Sequence, residues 1–301
     1  MEKNYIDLGI DLTQHVGFDF DHYDVARLPH LSPEDEGKWY AKFYYKGRTE
    51  LPESLIRCVQ PGVYMDPAKA ILPGEGGIDK LLEPGLIEGD NGYCLLPNGC
   101  GYAAVRSELP GVTLEMNNWY KKLRMVDKLG YMIWYPGSHC SELNGTCHED
   151  VGFGLERNDV ESPANIKNLG FSCHPAQKDP MFLALVGGNG WWTNLDHPEI
   201  KPRAMTLFHY IRRLPDGNGI EFRSHIYVGM FAEDGHAVKK QDLSPEVCLE
   251  ATRRMAHHAV YERENMCSFL PELFEKMQDV DLTPKGEVKE SWAMETAPNI
   301  V

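Results

Sequence analysis

The sequence predicts an α+β fold in which an antiparallel sheet curves around one long C-terminal helix. Three observations carry that expectation. Hairpin signals begin near residue 92, a sustained helical pattern runs from Ser244 to about Gln278, and the first ninety residues have a different, loop-rich texture. Together these divide the chain into a small, mainly helical N-terminal domain or arm over 1–88 and a larger domain over 89–301.

In the N-terminal part, the acidic and aromatic stretch through Tyr23 and Asp24 reads as an extended arm. A short helix follows around Trp39–Tyr45, another opens at Leu51-Pro-Glu-Ser54, and a third short one spans Pro67–Leu72. Glycines and prolines between 73 and 93 mark a boundary. The first hairpin is Gly92–Leu96 and Gly101–Arg106 about a Pro97-Asn98-Gly99 turn. Thr113–Leu123 reads as a helix, Leu129–Tyr135 as a strand ended by Pro136-Gly137, and the surroundings of His148–Gly152 as another strand. Met181–Val186 is apolar, and Thr206–Arg212 with Ile220–Val228 about Pro215–Gly219 form the clearest hairpin in the chain. For the last helix, Ser244 suits the N-cap, Pro245 the first helical position and Glu246 the positive end.

One face of that helix runs Val247, Ala251, Met255, His258, Glu262, Met266, Phe269, the stripe of a core-facing amphipathic helix. An unpaired carboxylate buried in such a stripe is costly, so His258 and Glu262, one turn apart, need a partner. That partner is either a divalent metal held by both side chains or the hydrogen bond between them. Further ligands would have to come from elsewhere. His139 follows a Pro-Gly turn, and a hairpin folded about Asn144 would set it opposite Glu149 on the adjacent strand; a surface histidine and a solvated carboxylate are the plainer alternative. His148, Cys140, Cys147, Glu142 and Glu156 are competing donors. His257 falls on a polar helix face with Glu250, Arg254 and Tyr261 and is expected to point outward. His209, between Phe208 and Tyr210, reads as a hydrogen-bonded core histidine, and His174 and His225 have similar status.

Other chemistries lack an anchor. Gly187-Gly-Asn-Gly190 has neither the lysine nor the following helix of a phosphate loop, and no GxSxG elbow occurs. With 30 basic and 45 acidic residues, the formal net charge of -15 argues against nucleic-acid partners and anionic membranes. Eight cysteines form no CxxC pair, no apolar run is long enough to span a bilayer, and Met1-Glu-Lys-Asn-Tyr carries no apolar signal, so a cytoplasmic protein is expected.

Longer motifs sharpen these alternatives. Tyr131-Met-Ile-Trp-Tyr-Pro-Gly-Ser-His139 resembles the Tyr-x-x-Trp-x-Pro-x-x-His segment of the 2,4-diacetylphloroglucinol hydrolase and phloretin hydrolase family. Pro110–Met116, Glu149-Asp-Val-Gly152, His209–Arg212, Gly219–Ser224 and His258-Ala-Val-Tyr-Glu262 resemble further family segments in the same order, over about residues 39 to 275. The resemblance implies a helix-grip (START-like) catalytic domain with a smaller N-terminal domain, acting as a homodimer. It implies a metal-dependent hydrolase that cleaves the carbon–carbon bond between an acyl group and a polyhydroxylated aromatic ring. The family's zinc ligands map onto His139, Glu149, His258 and Glu262, its active-site tyrosine onto Tyr131 and its strand histidine onto His209, the last two expected as catalytic residues that hydrogen-bond ring hydroxyls or protonate the leaving carbon. The segment between His139 and Glu149 is shorter than in relatives, which leaves Glu161 as the alternative carboxylate, and Ser138 stands where an acidic residue is usual. Two carboxylate ligands would also admit manganese, iron or cobalt. The same enolate chemistry would serve a non-aromatic 1,3-diketone, and the same fold can bind hydrophobic ligands without catalysis.

Overall fold

The computed structural model describes residues 25–28, 30–74, 77–137, 139, 163–192 and 203–282. Its architecture is α+β. Strands β1 (Gly92–Leu95), β2 (Gly101–Pro110), β3 (Phe182–Trp192), β4 (Arg203–Arg213) and β5 (Gly219–Val228) form one sheet in the order β1-β2-β5-β4-β3, every pair antiparallel. A hairpin of β6 (Met230–Glu233) and β7 (His236–Lys239) follows β5. Both expected hairpins are present, and the apolar run at 181–186 enters β3, the edge partner of β4.

The closing helix, α7, spans Pro245–Met277 and continues through Pro271. Ser244 caps it, its hydroxyl accepting from the Val247 amide, with Pro245 at the first turn. The N-terminal half of α7 lies on one face of the sheet, where Cys248, Ala251, Met255 and Ala259 meet Ala103, Val105, Met205, Ile226 and Val228. Each fully buried Val, Ile or Met side chain here contributes about 1.5–3 kcal/mol through removal from water. Close approach depends on Gly101, where a Cβ would lie 1.8 Å from Thr252 Oγ1.

Strand alternation sends Tyr102, Ala104, Phe208, Tyr210 and Tyr227 to the opposite face, covered by Ile71, Ile78, Leu81, Leu82 and Ile87. Arg223, fully buried there, pairs with Glu221 at 2.9 Å and donates to the carbonyls of Leu81 and Gly85, fixing the segment at 77–85 to the sheet. With both faces covered, β5 is buried along its whole length.

Short helices α1 (Pro33–Glu36), α2 (Ala41–Lys46) and α3 (Glu53–Val59) come from the N-terminal part, and α6 (Pro163–Leu169) precedes β3. Phe43 and Tyr44 of α2 share a core with Trp119, Tyr120 and Leu123 of α4 (Leu114–Val126) and with Met266, Phe269, Leu270 and Leu273 of α7. Thr113 caps α4, its hydroxyl accepting from the Met116 amide at 3.1 Å. One expectation is corrected here. Residues 128–132 form a helix, α5 (Lys128–Met132), and not a strand, because Asp127 caps it by accepting from the Gly130 amide at 2.7 Å. Lys38 and Tyr40 hold Asp127 in turn, at 2.9 and 2.8 Å. No helix among the described residues is long and apolar enough to cross a membrane.

Candidate metal centre

Two segments far apart in sequence meet at the middle of α7. After α5 the chain turns, and His139 is placed by its own amide donating to the Tyr135 carbonyl at 2.8 Å. Asn265, on α7, donates its side-chain amide to the carbonyls of Ile133 and Trp134, both at 3.0 Å, and so ties this turn to the helix. On α7 itself, His258 and Glu262 project together because they stand one turn apart.

His139, His258 and Glu262 are the group of three buried donors that converge, 2%, 7% and 4% exposed. Nε2 of His139 is 3.2 Å from Nε2 of His258, and Glu262 Oε2 is 3.3 Å from His258 Nε2 and 3.8 Å from His139 Nε2. A tetrahedral ion with bonds of about 2.0–2.1 Å keeps its donors about 3.3 Å apart. The donor types and spacing therefore fit a divalent metal ion, and the cluster could hold one.

The charge states suit the same purpose. Burial pushes His139 well below the ordinary imidazole range, and His258 adds to the effect, so His139 is neutral at pH 7. Burial alone would raise Glu262, but Arg263, followed by His258 and His139, outweighs it and holds the carboxyl below the usual range. A neutral imidazole and an ionised carboxylate are the forms that ligate metal.

Around this centre, Tyr131 stacks on His139 with ring centroids 4.3 Å apart. The ring of Trp134 packs against His139 and carries the guanidinium of Arg124 at 4.0 Å and that of Arg263 at 5.0 Å. His209 points from β4 toward α7 but does not belong to the three-donor group. Both its nitrogens have protein partners, Ser224 Oγ at 2.8 Å and Arg263 Nη2 at 2.9 Å. Burial, then Arg263, lowers its pKa well below the ordinary value.

Glu149, its alternative Glu161, and the competing donors His148, Cys140, Cys147, Glu142 and Glu156 lie outside the described residues. His257 does not point outward: it is 3% exposed, with Tyr135 Oη 3.2 Å from its Nδ1 and Tyr261 against its ring. The helix face assigned to solvent is covered by the turn that carries His139 and by α3, whose Val59 carbonyl accepts from Arg253. His174 caps a short 3-10 turn, and His225 lies on the far side of the sheet, 3.1 Å from Tyr102 Oη. Arg263 was not anticipated. Its adjacency to Glu262 was visible in the sequence, but its contact with His209, 54 residues away, required the helix and strand to be docked.

Comparison with known proteins gives this arrangement a context. Residues 72–275 match the family model described as the DAPG hydrolase PhiG domain. A 2,4-diacetylphloroglucinol hydrolase of Pseudomonas protegens is 27% identical over 261 residues, covering 79% of this chain and 84% of the relative. Another from Pseudomonas sp is 26% identical over 261 residues, covering 79% of this chain and 87% of the relative. The matched span includes His139, His209, His258, Glu262 and Arg263.

Proposed function

The chain belongs to the DAPG hydrolase family, and on that premise we propose that it hydrolyses the carbon–carbon bond between an acyl group and a polyhydroxylated aromatic ring, of the acylphloroglucinol or phloretin type. The observation that carries the reading is the convergence of His139 with the His258–Glu262 pair in a buried site. Zinc is the proposed ion, with manganese, iron or cobalt as possible substitutes, and Glu149, or Glu161 in its stead, is the proposed fourth ligand. The helix-grip description of the fold, the division at residue 88, a homodimeric state and a cytoplasmic location belong to the same reading.

The chemistry explains why such a site is needed. Direct loss of an aryl carbanion is prohibitive, but a ring with meta hydroxyls can take up a proton at carbon and become a β-dicarbonyl. Water then adds to the acyl carbonyl, the bond to the ring breaks, and the electron pair leaves on the ring as an enolate. The hydroxyl of the water ends on the acyl carbon as the carboxylic acid. The proton taken up at the ring carbon stays there as the new C–H in place of the acyl group, and the water's remaining proton goes to the enolate oxygen and restores the phenol. A bound divalent ion supplies Lewis acidity and lowers the pKa of coordinated water from about 16 toward about 7. His139, His258 and Glu262 would hold it. Tyr131 is given the part of hydrogen-bonding a ring hydroxyl or delivering the proton to the departing carbon. His209 belongs to the same active site; with both nitrogens already engaged by the protein, it serves the site through its neighbours.

The test is incubation of the purified protein with mono- and diacetylphloroglucinol and with phloretin, following phenol and carboxylic acid together. Activity that disappears on chelation and returns with zinc supports the reading. Full-rate cleavage by metal-free protein, or cleavage of non-aromatic 1,3-diketones in place of every acylphenol, would overturn it.

A further inference from the structure

Ser224, His209, Arg263 and Glu262 form one buried polar chain, two hydrogen bonds and then an ion pair, from the middle of the sheet to the carboxylate of the three-donor cluster. The order of donors along it follows from the chemistry of its third member. A guanidinium only donates. At 2.9 Å from Arg263 Nη2, His209 Nε2 must therefore accept with its lone pair. The imidazole is then neutral, with its hydrogen on Nδ1, 2.8 Å from Ser224 Oγ. Strand register puts that hydroxyl in place, since His209 and Ser224 are directly paired across β4 and β5.

Nη2 also lies 2.9 Å from Glu262 Oε1, so the same guanidinium nitrogen forms an ion pair with the carboxylate. The other carboxylate oxygen, Oε2, is the one that faces His258 and His139. The guanidinium also lies over the rings of Trp134 and Phe222, whose centres are 5.0 and 4.7 Å from Cζ. A lysine could supply the charge but not the planar, delocalised fork that packs against aromatic rings.

We infer that Arg263 is a positioning residue: braced by His209 in its Nδ1–H tautomer, it takes one oxygen of Glu262 and presents the other to the metal centre. This rests on the proposed metal role of His139, His258 and Glu262, and it assigns His209 a place behind the ligands, with no contact to the reacting atoms. Groups that orient a metal ligand in this way change metal affinity by about 10–100-fold when removed.

Two measurements on the full chain test it. Nitrogen-15 spectra of histidine-labelled protein, with the His209 resonances assigned by their loss in H209Q, should show the Nδ1–H form at neutral pH with and without zinc. An Nε2–H form or an imidazolium would overturn the inference without any variant having to fold. Zinc affinity, measured by competition with a chromophoric chelator, should fall about 10–100-fold in both R263K and R263Q. R263Q that binds zinc as tightly as the wild type would also overturn it. A wild-type protein that binds no zinc would remove the metal centre and Arg263's role together. Tight zinc binding without cleavage of any acylphenol would defeat the hydrolase reading and leave this inference standing.

Discussion

Tyr131 lies flat against His139, the two ring planes 13° from parallel and their centroids 4.3 Å apart. The contact makes the tyrosine both a wall for the metal-site imidazole and a neighbour of any group bound beside it. These two roles separate by mutation. Tyr131→Phe keeps the stack and loses only the hydroxyl, so metal content should be unchanged while kcat falls by about 10²–10⁴ if the hydroxyl moves a proton. Tyr131→Ala loses the stack as well, and its zinc affinity should drop. Metal analysis beside steady-state kinetics decides the matter. Equal kcat for wild type and Y131F would remove Tyr131 from the chemistry.

His257 and His258 are adjacent, both buried, and point into different surroundings. His258 Nε2 faces His139 and Glu262, whereas His257 Nδ1 meets the Tyr135 hydroxyl, which also accepts from Arg48 at 3.3 Å. His258→Ala should therefore lose the metal. His257→Ala should keep it, but with a loss of about 1–3 kcal/mol in stability from the polar groups left in the interior. Metal stoichiometry and urea unfolding of the two variants give the answer, and the reverse pattern would mean that the helix presents the wrong histidine.

The stripe on α7 was legible because burial of one helical face imposes a period that any sequence must obey: six of its seven members, from Ala251 to Phe269, are buried. The β4–β5 hairpin was legible for a similar reason, since its turn residues and strand lengths are local. What failed was non-local. Leu129–Tyr135 is a short apolar run whose period fits a strand or a helix, and the capping Asp127 that makes its first part helical is held by Lys38 and Tyr40 from the N-terminal part. His257 was assigned to solvent because one amphipathic face was expected, whereas α7 is buried all round from Ala251 to Val260. The His258–Glu262 half of the centre is written in one helical turn. Its convergence with His139, 119 residues away, came from the resemblance and not from spacing.

Gly101 tests how the sheet holds α7. A methyl group there would sit 1.8 Å from Thr252 Oγ1 and 3.3 Å from Cys248 Sγ, and Thr252 Oγ1 is itself bound to the Cys248 carbonyl at 2.7 Å. The threonine cannot simply turn away without breaking that bond. Gly101→Ala should therefore destabilise the protein by about 1–3 kcal/mol through overpacking. Gly101→Ala combined with Thr252→Ala, which removes the hydroxyl at the contact, should recover part of the loss. Chemical unfolding of the three proteins measures this, and a single variant as stable as the wild type would show that the helix does not rest on β2 at this point.

His225 is fully buried on the far side of the sheet, stacked on Phe208 with planes 11° apart, and its Nε2 has no hydrogen-bond partner among the described residues. Burial, with Arg223 adding to it, pushes its pKa down to about 3 from 6.5. The sign of the effect on stability follows. Above pH 6.5 neither state is protonated at this residue and the contribution is fully present. As the pH falls below 6.5 the unfolded chain takes up a proton that the folded protein refuses, so stability is lost until the folded group titrates near pH 3. His139 and His209, also pushed down by burial, act in the same direction. Replacing His225 by Phe keeps an aromatic ring against Phe208 and leaves Tyr102 its bond to the Gly89 carbonyl at 3.0 Å. The slope of unfolding free energy against pH between 6 and 4 should then become shallower by on the order of 1.4 kcal/mol per pH unit, one proton's worth. Urea titrations of H225F and wild type at matched metal content provide the comparison. Parallel slopes would mean that His225 is protonated in the folded protein, and that the far face of the sheet admits a buried charge.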